Sequence, residues 1–158
     1  MGTGKTTTGK RVAGRLGWRF IDADEEIVRR ARMPISRIFA VHGEAHFREL
    51  ERDICRALAR LNRVVIATGG GMLIDESNRE TMLRAGLVVC LTATPDALAA
   101  RLSADDGRPL LKTDWKALFE QRRPIYDSFP HQVNTTSRTP DEAAAEIVRL
   151  WQSLKESA

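Results

Sequence analysis

Gly4, Lys5 and Thr6 stand together in the opening stretch "MGTGKTTTGK". Glycines let backbone N–H groups curl around phosphate oxygens, and a helix starting directly behind them adds the partial positive charge of its N-terminus. Lys5 would then reach the terminal phosphates, and the Thr6 hydroxyl would ligate Mg2+. The full pattern, G-x4-G-K-[ST], asks for one more glycine upstream of Met1, so the stretch matches the second half of such a loop. A glycine-rich tail ahead of a helix is the plain alternative. The helical pattern that follows at once, with Val12, Ala13 and Leu16 on one face, favours the phosphate loop.

Further groups follow along the chain. "FIDAD" sets Asp22 and Asp24 at the end of a predicted strand, where alternation would put both carboxylates on one side. One acid could hold magnesium through water while the other accepts a proton from a substrate hydroxyl; the alternative is helix capping by Asp24. "FRELE" spaces Arg48 and Glu51 for pairing on one helix face, which in most proteins is only a surface ion pair. "ATGGG", after an apolar strand, offers Gly69, Gly70 and Gly71 for close backbone approach of a ligand. "GRPLL" and "RRPIY" add Arg108 and Arg122, each by itself a solvated charge. The three histidines show no metal-ligand spacing.

These residues need a scaffold that brings strand ends and helix starts to one edge. A short strand ending in carboxylates, "RFIDAD", and two apolar strands, "VVIAT" and "LVVCLTA", alternate with helical patterns. Strands apolar throughout suit a sheet covered on both faces, and the β-α alternation predicts a doubly wound parallel sheet of α/β class. Pro34 restarts a helix through "ISRIFAVH", and "GEAHFRELERDICRALARL" carries helical periodicity at Phe47, Leu50, Ile54 and Leu58. "PDALAARL" opens on a first-turn proline. "SADDGRPLLKTD" reads as a polar, glycine-containing loop, and "WKALFEQRRPIYDSF" as a helix disturbed at Pro124. Thr139 caps a closing helix with acids in its first turn.

With 158 residues the expectation is one domain, 1–158, of 42% hydrophobic and 29% charged composition, which excludes a disordered chain. No apolar run reaches the length of a bilayer span, and no leader pattern opens the sequence, so a cytoplasmic protein without a membrane partner is expected. Cys55 and Cys90 lie in apolar patterns and read as buried reduced thiols. A net charge of +4 invites a nucleic-acid reading, but the basic residues are dispersed and no nucleic-acid partner is expected. Only five of the basic residues are lysines, and arginine is the residue that grips small carboxylates and phosphates bidentately.

Taken in order, "GTGKTT", "FIDAD", "GEAHFRELE", "ATGGGM", "RPLL" and "RRPIY" resemble the shikimate kinase family over essentially the whole chain. The resemblance implies a P-loop kinase-type three-layer sandwich and phosphorylation of the 3-hydroxyl of shikimate by MgATP, in the pathway to chorismate and the aromatic amino acids. It implies that Gly2, Thr3, Gly4, Lys5, Thr6 and Thr7 cradle the ATP phosphates, with Thr6 on magnesium and Asp22 near the metal shell. Asp24 is implied as the general base that binds shikimate hydroxyls. Arg48 and Arg122 would grip the shikimate carboxylate, with Glu51 orienting Arg48. Gly70, flanked by Gly69 and Gly71, would touch the ring. Arg108, in a lid at roughly 103–114, would reach the ATP phosphates and join Lys5 and Asp24 as catalytic. Arg101 and Pro140 would sandwich adenine, with Arg138 close by.

Two departures stand out. Arg32 occupies a position before the short helix where the family commonly has glycine, and the first, central strand and first loop glycine are expected to be missing ahead of Met1. Losing that strand would leave backbone groups of its neighbours unpaired. A gluconate-type small-metabolite kinase and a non-catalytic ligand-sensing domain of the same fold are the alternative readings. A site made from one small chain makes a monomer the expectation.

Overall fold

A computed structural model describes residues 2–103 and 115–157 of the chain. The chain divides into two compact units, one formed by Met1–Arg11 with Val88–Ala158 and the other by Val12–Leu87. Helix α1 (Lys5–Leu16) contributes to both, buries Val12 and Ala13 as its periodicity predicts, and ends at Gly17, whose φ of +64° lets the Trp18 N–H turn back to the Ala13 carbonyl at 2.9 Å.

The unit Val12–Leu87 is built on a parallel pair, β1 (Arg19–Asp22) and β2 (Val64–Ala67), with Arg19 opposite Val64 and Asp22 opposite Ala67. Parallel strands need a long crossover, supplied here by α2 (Ala23–Ala31) and α3 (Ile35–Leu58). The two helical runs read from the sequence join in α3 across a kink at Gly43, whose φ of +80° and ψ of 174° are not helical. Ile27, Ile38, Phe47, Ile54, Cys55 and Leu58 are buried. Burial pushes the Cys55 thiol up to about 11, so it is inert and protonated near neutral pH. After β2 a 3-10 turn, Met72–Ile74, leads to α4 (Glu76–Ala85), a helix not anticipated from the sequence. Its N-cap Asp75 accepts the Asn78 N–H at 3.2 Å, and the Asn78 side chain, also buried, donates to the Met72 carbonyl.

The other unit carries a second parallel pair, β3 (Cys90–Thr92) and β4 (Gln132–Asn134), with Cys90 opposite Gln132 and Thr92 opposite Asn134. Between them lie α5 (Pro95–Ser103) and α6 (Trp115–Asp127). Every described pairing is parallel, as the alternation predicts, but the strands form two separate two-stranded sheets. Pro124 does not end α6: it removes one N–H, and the helix resumes for three residues more. Strand β4, at three residues, is too short to stand out in the sequence. Helix α7 (Pro140–Glu156) starts as predicted at Thr139, in a capping box with Glu142. Among the described residues no helix is long and apolar enough to cross a membrane.

Candidate active site

In the unit that holds the chain's beginning, Gly2 and Gly4 take φ of +69° and +83°, a left-handed backbone that a side chain would strain. Gly4 accepts the Thr8 N–H at 2.9 Å, and Lys5, Thr6 and Thr7 form the first turn of α1. This is the predicted half-loop on a helix N-terminus, a place where backbone N–H groups and the helix dipole favour an anion.

The half-buried guanidinium of Arg101, on α5, is held by this loop and by the segment after β4. It donates to the Gly2 carbonyl at 3.4 Å, to the Thr135 hydroxyl at 3.1 Å, and to the carbonyls of Thr135 at 2.5 Å and Thr136 at 3.3 Å. Thr135 was not singled out from the sequence; it follows directly on β4, and a short strand gave no frame in which to notice it. Arg138 is ion-paired with Glu146 of α7, and Pro140 is the first residue of that helix. Arg122, on α6, is half-buried beside Tyr126, whose hydroxyl burial pushes up while the charge and hydrogen bond of Arg122 pull it down. Arg108 and residues 104–114 of the predicted lid lie outside the described residues.

In the unit Val12–Leu87, the parallel register brings the ends of β1 and β2 to the same edge. Two expectations for "FIDAD" are corrected there. The strand stops at Asp22, and Asp24 is the second residue of α2, so alternation along a strand does not relate the two carboxylates. The cap is Asp22, not Asp24: its Oδ1 accepts the N–H groups of Asp24 at 3.0 Å and Glu25 at 3.5 Å. A carboxylate directly before the first turn satisfies helix N–H groups that an acid already inside that turn is not placed to cap.

Asp24 is instead seated against the glycine run after β2. A Cβ built on Gly69 would fall 2.4 Å from Asp24 Oδ1, so the carboxylate occupies space that only a glycine leaves open. Beyond it the Gly69 carbonyl accepts the Met72 N–H at 3.2 Å, and Gly71 precedes the 3-10 turn, with its carbonyl accepting from Ile74 at 3.1 Å. Gly70 lies half-buried between them.

Arg48 and Glu51 pair as their spacing predicts, though not as a surface pair. Glu51 is 2% exposed, and Arg48 Nη1 donates to its Oε2 at 2.5 Å while Nη2 donates to Glu44 at 2.9 Å. Burial works against the charged guanidinium, but the bonds to Glu51 and Glu44 outweigh it and hold the Arg48 pKa above its ordinary value. The helical pattern reads Leu50 as core; Leu50 is half-buried, and the carboxylate of Glu51 takes the buried position because Arg48 neutralises it.

Among the described residues no three His, Cys, Asp or Glu side chains gather into a metal-binding group. Mg2+ is bound in kinases through one or two protein oxygens together with substrate phosphates and water. The Thr6 hydroxyl, in the first turn of α1, is a donor of that kind, and so is the Asp22 carboxylate, whose Oδ1 caps α2.

A family model described as shikimate kinase matches residues 1–152. The curated shikimate kinase of Thermodesulfovibrio yellowstonii is 36% identical over 159 residues, covering 98% of this chain and 92% of that protein. That of Geobacter metallireducens is 41% identical over 152 residues, covering 93% of this chain and 85% of that one. Among solved structures, the shikimate kinase of Acinetobacter baumannii in complex with shikimate superposes with a TM-score of 0.88 at 34% identity, covering 98% of this chain and 90% of that chain. The chain belongs to the shikimate kinase family, α/β P-loop kinases that phosphorylate shikimate with ATP on the way to the aromatic amino acids.

Proposed function

We propose that the chain transfers the terminal phosphoryl group of MgATP to the 3-hydroxyl of shikimate, with the Asp24 carboxylate taking the hydroxyl proton. The observation that carries this reading is the seating of Asp24 against Gly69 at the edge where β1 and β2 end. A carboxylate lying against glycine backbone at that edge is placed to accept a hydroxyl and withdraw its proton as the new O–P bond forms. Arg48 and Arg122 bind the shikimate carboxylate. The bonds to Glu44 and Glu51 support this role for Arg48, because they fix the guanidinium before substrate arrives and lower the entropy lost on binding. Gly70, with Gly69 and Gly71, lines the ring through backbone.

Phosphoryl transfer asks a protein for positioning and for positive charge around the moving group. Lys5, the N–H groups of Gly2, Thr3, Gly4, Thr6 and Thr7, and Arg108 supply them. Magnesium held by Thr6, with Asp22 reaching it through water, would spread the charge of the phosphates. Arg101 and Pro140 flank adenine, with Arg138 nearby; the hydrogen bonds of Arg101 run in its guanidinium plane and do not occupy the faces on which a ring stacks. The reading takes the chain as a cytoplasmic monomer with no nucleic-acid or membrane partner.

Replacing Asp24→Asn tests the central role. Turnover falls about a thousandfold, as expected for loss of a general base, while calorimetric shikimate affinity stays within about tenfold. Lys5→Ala also abolishes measurable turnover. An Asp24→Asn enzyme turning over within tenfold of the parent would remove Asp24 from the chemistry.

A further inference from the structure

The hydroxyl of Thr135 sits at the junction of three segments, and nothing in the proposed reaction uses it. Thr135 is 4% exposed. Its Oγ1 lies 3.3 Å from the Thr3 carbonyl and 3.0 Å from the Thr92 carbonyl, and accepts from Arg101 Nη1 at 3.1 Å. The Thr92 carbonyl at the end of β3 already receives the Thr135 backbone N–H at 2.8 Å. One hydroxyl proton is therefore shared between a carbonyl that has a partner and the Thr3 carbonyl of the phosphate loop. The same Arg101 nitrogen that bonds Thr135 also reaches the Gly2 carbonyl.

We infer that Thr135, with Arg101, is a positioning residue that aims the phosphate loop's N–H groups; the inference rests on reading that loop as the ATP cradle. A trans peptide is planar, so the C=O of one residue and the N–H of the next point in opposite directions. Holding the Gly2 carbonyl toward Arg101 turns the Thr3 N–H the other way, and holding the Thr3 carbonyl toward Thr135 does the same for the Gly4 N–H. Gly2 and Gly4 have φ of +69° and +83°, and glycine backbone is the least restricted of any residue, so the loop's own sequence leaves these peptide planes weakly fixed. A hydroxyl anchored at the end of the β3–β4 pair fixes them from outside. Thr135 touches no phosphate in this account and acts through the loop.

The test compares Thr135→Val, which keeps the shape and removes the hydroxyl, with Thr135→Ser, which keeps the hydroxyl. Thr135→Val is expected to raise KM for ATP about tenfold, the scale of one lost hydrogen bond, with KM for shikimate within about twofold. Thr135→Ser restores KM for ATP to within about twofold of the parent. A merely structural role would move both KM values together or leave serine no better than valine, and either result overturns the inference, as does a Thr135→Val enzyme with the parent's KM for ATP. Amide exchange of the unmodified protein gives a second reading that needs no variant and no shikimate. Adding ADP should slow exchange at the Thr3 and Gly4 N–H groups, and unchanged exchange in the presence of bound ADP contradicts the inference. Absence of shikimate-dependent turnover in the parent would instead count against the proposed reaction, so the two failures are distinguishable.

Discussion

The loop Gly2–Thr7 and the helix face that bears Arg48, the two proposed anion grips, are ordered in opposite ways. Arg48 is fixed by neighbours on its own helix, Glu44 four residues before it and Glu51 three after. The loop is fixed by residues far away in the chain: Arg101 and Thr135 reach the carbonyls of Gly2 and Thr3 across 99 and 132 positions. A side-chain grip can be prepared locally because the helix period brings i and i+4 together. A backbone grip needs glycines to bend, and glycines leave the chain loose, so its order must come from tertiary contacts. Asp24 stands between the two cases, a side chain lying in space that a distant glycine leaves open.

That contrast can be broken or sharpened by substitution. Gly69→Ala should have the largest effect. Its Cβ would meet the Asp24 carboxylate at 2.4 Å, and the resulting shift is expected to lower kcat about a hundredfold with nucleotide affinity unchanged. A kcat within a few-fold of the parent would show that Asp24 does not depend on that contact. Next comes Glu51→Gln, which removes one of the two carboxylates on Arg48. KM for shikimate should rise about tenfold with kcat within about threefold, because the guanidinium must be ordered by the substrate instead; equal KM values would mean that Glu44 alone suffices. The smallest effect lies away from both groups. Arg32 closes α2 with φ of +55°, the left-handed conformation that the expected glycine adopts without strain. Arg32→Gly should stabilise the fold by about 0.5 kcal/mol, after the greater chain entropy of glycine is offset, and leave kinetics unchanged. A fall in melting temperature would show that Arg32 makes a compensating contact.

Elements with local signals were legible in the sequence. The cap at Thr139 and the Pro34 restart fell where residue types put them. Helix α4 was missed although Asp75 before it and Gly86 behind it are ordinary helix boundaries. Strand β4 was missed because three residues with one buried side chain, Val133, carry no period. Of the proposed site residues, Lys5, Asp24, Arg48 and Gly69 stand in motifs, and the pairing of Arg48 with Glu51 follows from their spacing, whereas the bonds of Arg101 and Thr135 to the loop leave no mark in the sequence. The capping alternative named Asp24 in place of Asp22 because a strand predicted two residues too long carries the helix start with it. Thr135 has no motif of its own, and its importance exists only where distant segments meet.

The most direct measurement is ADP release from MgATP in the presence of shikimate, of gluconate, and of neither, with the phosphorylated product identified by NMR. Turnover that requires shikimate and yields a single monoester at its 3-hydroxyl is the predicted result. Preference for gluconate would make the chain a kinase of another small acid, and tight shikimate binding with no ADP release under any condition would make it a sensor; either contradicts the reaction assigned to Lys5 and Asp24.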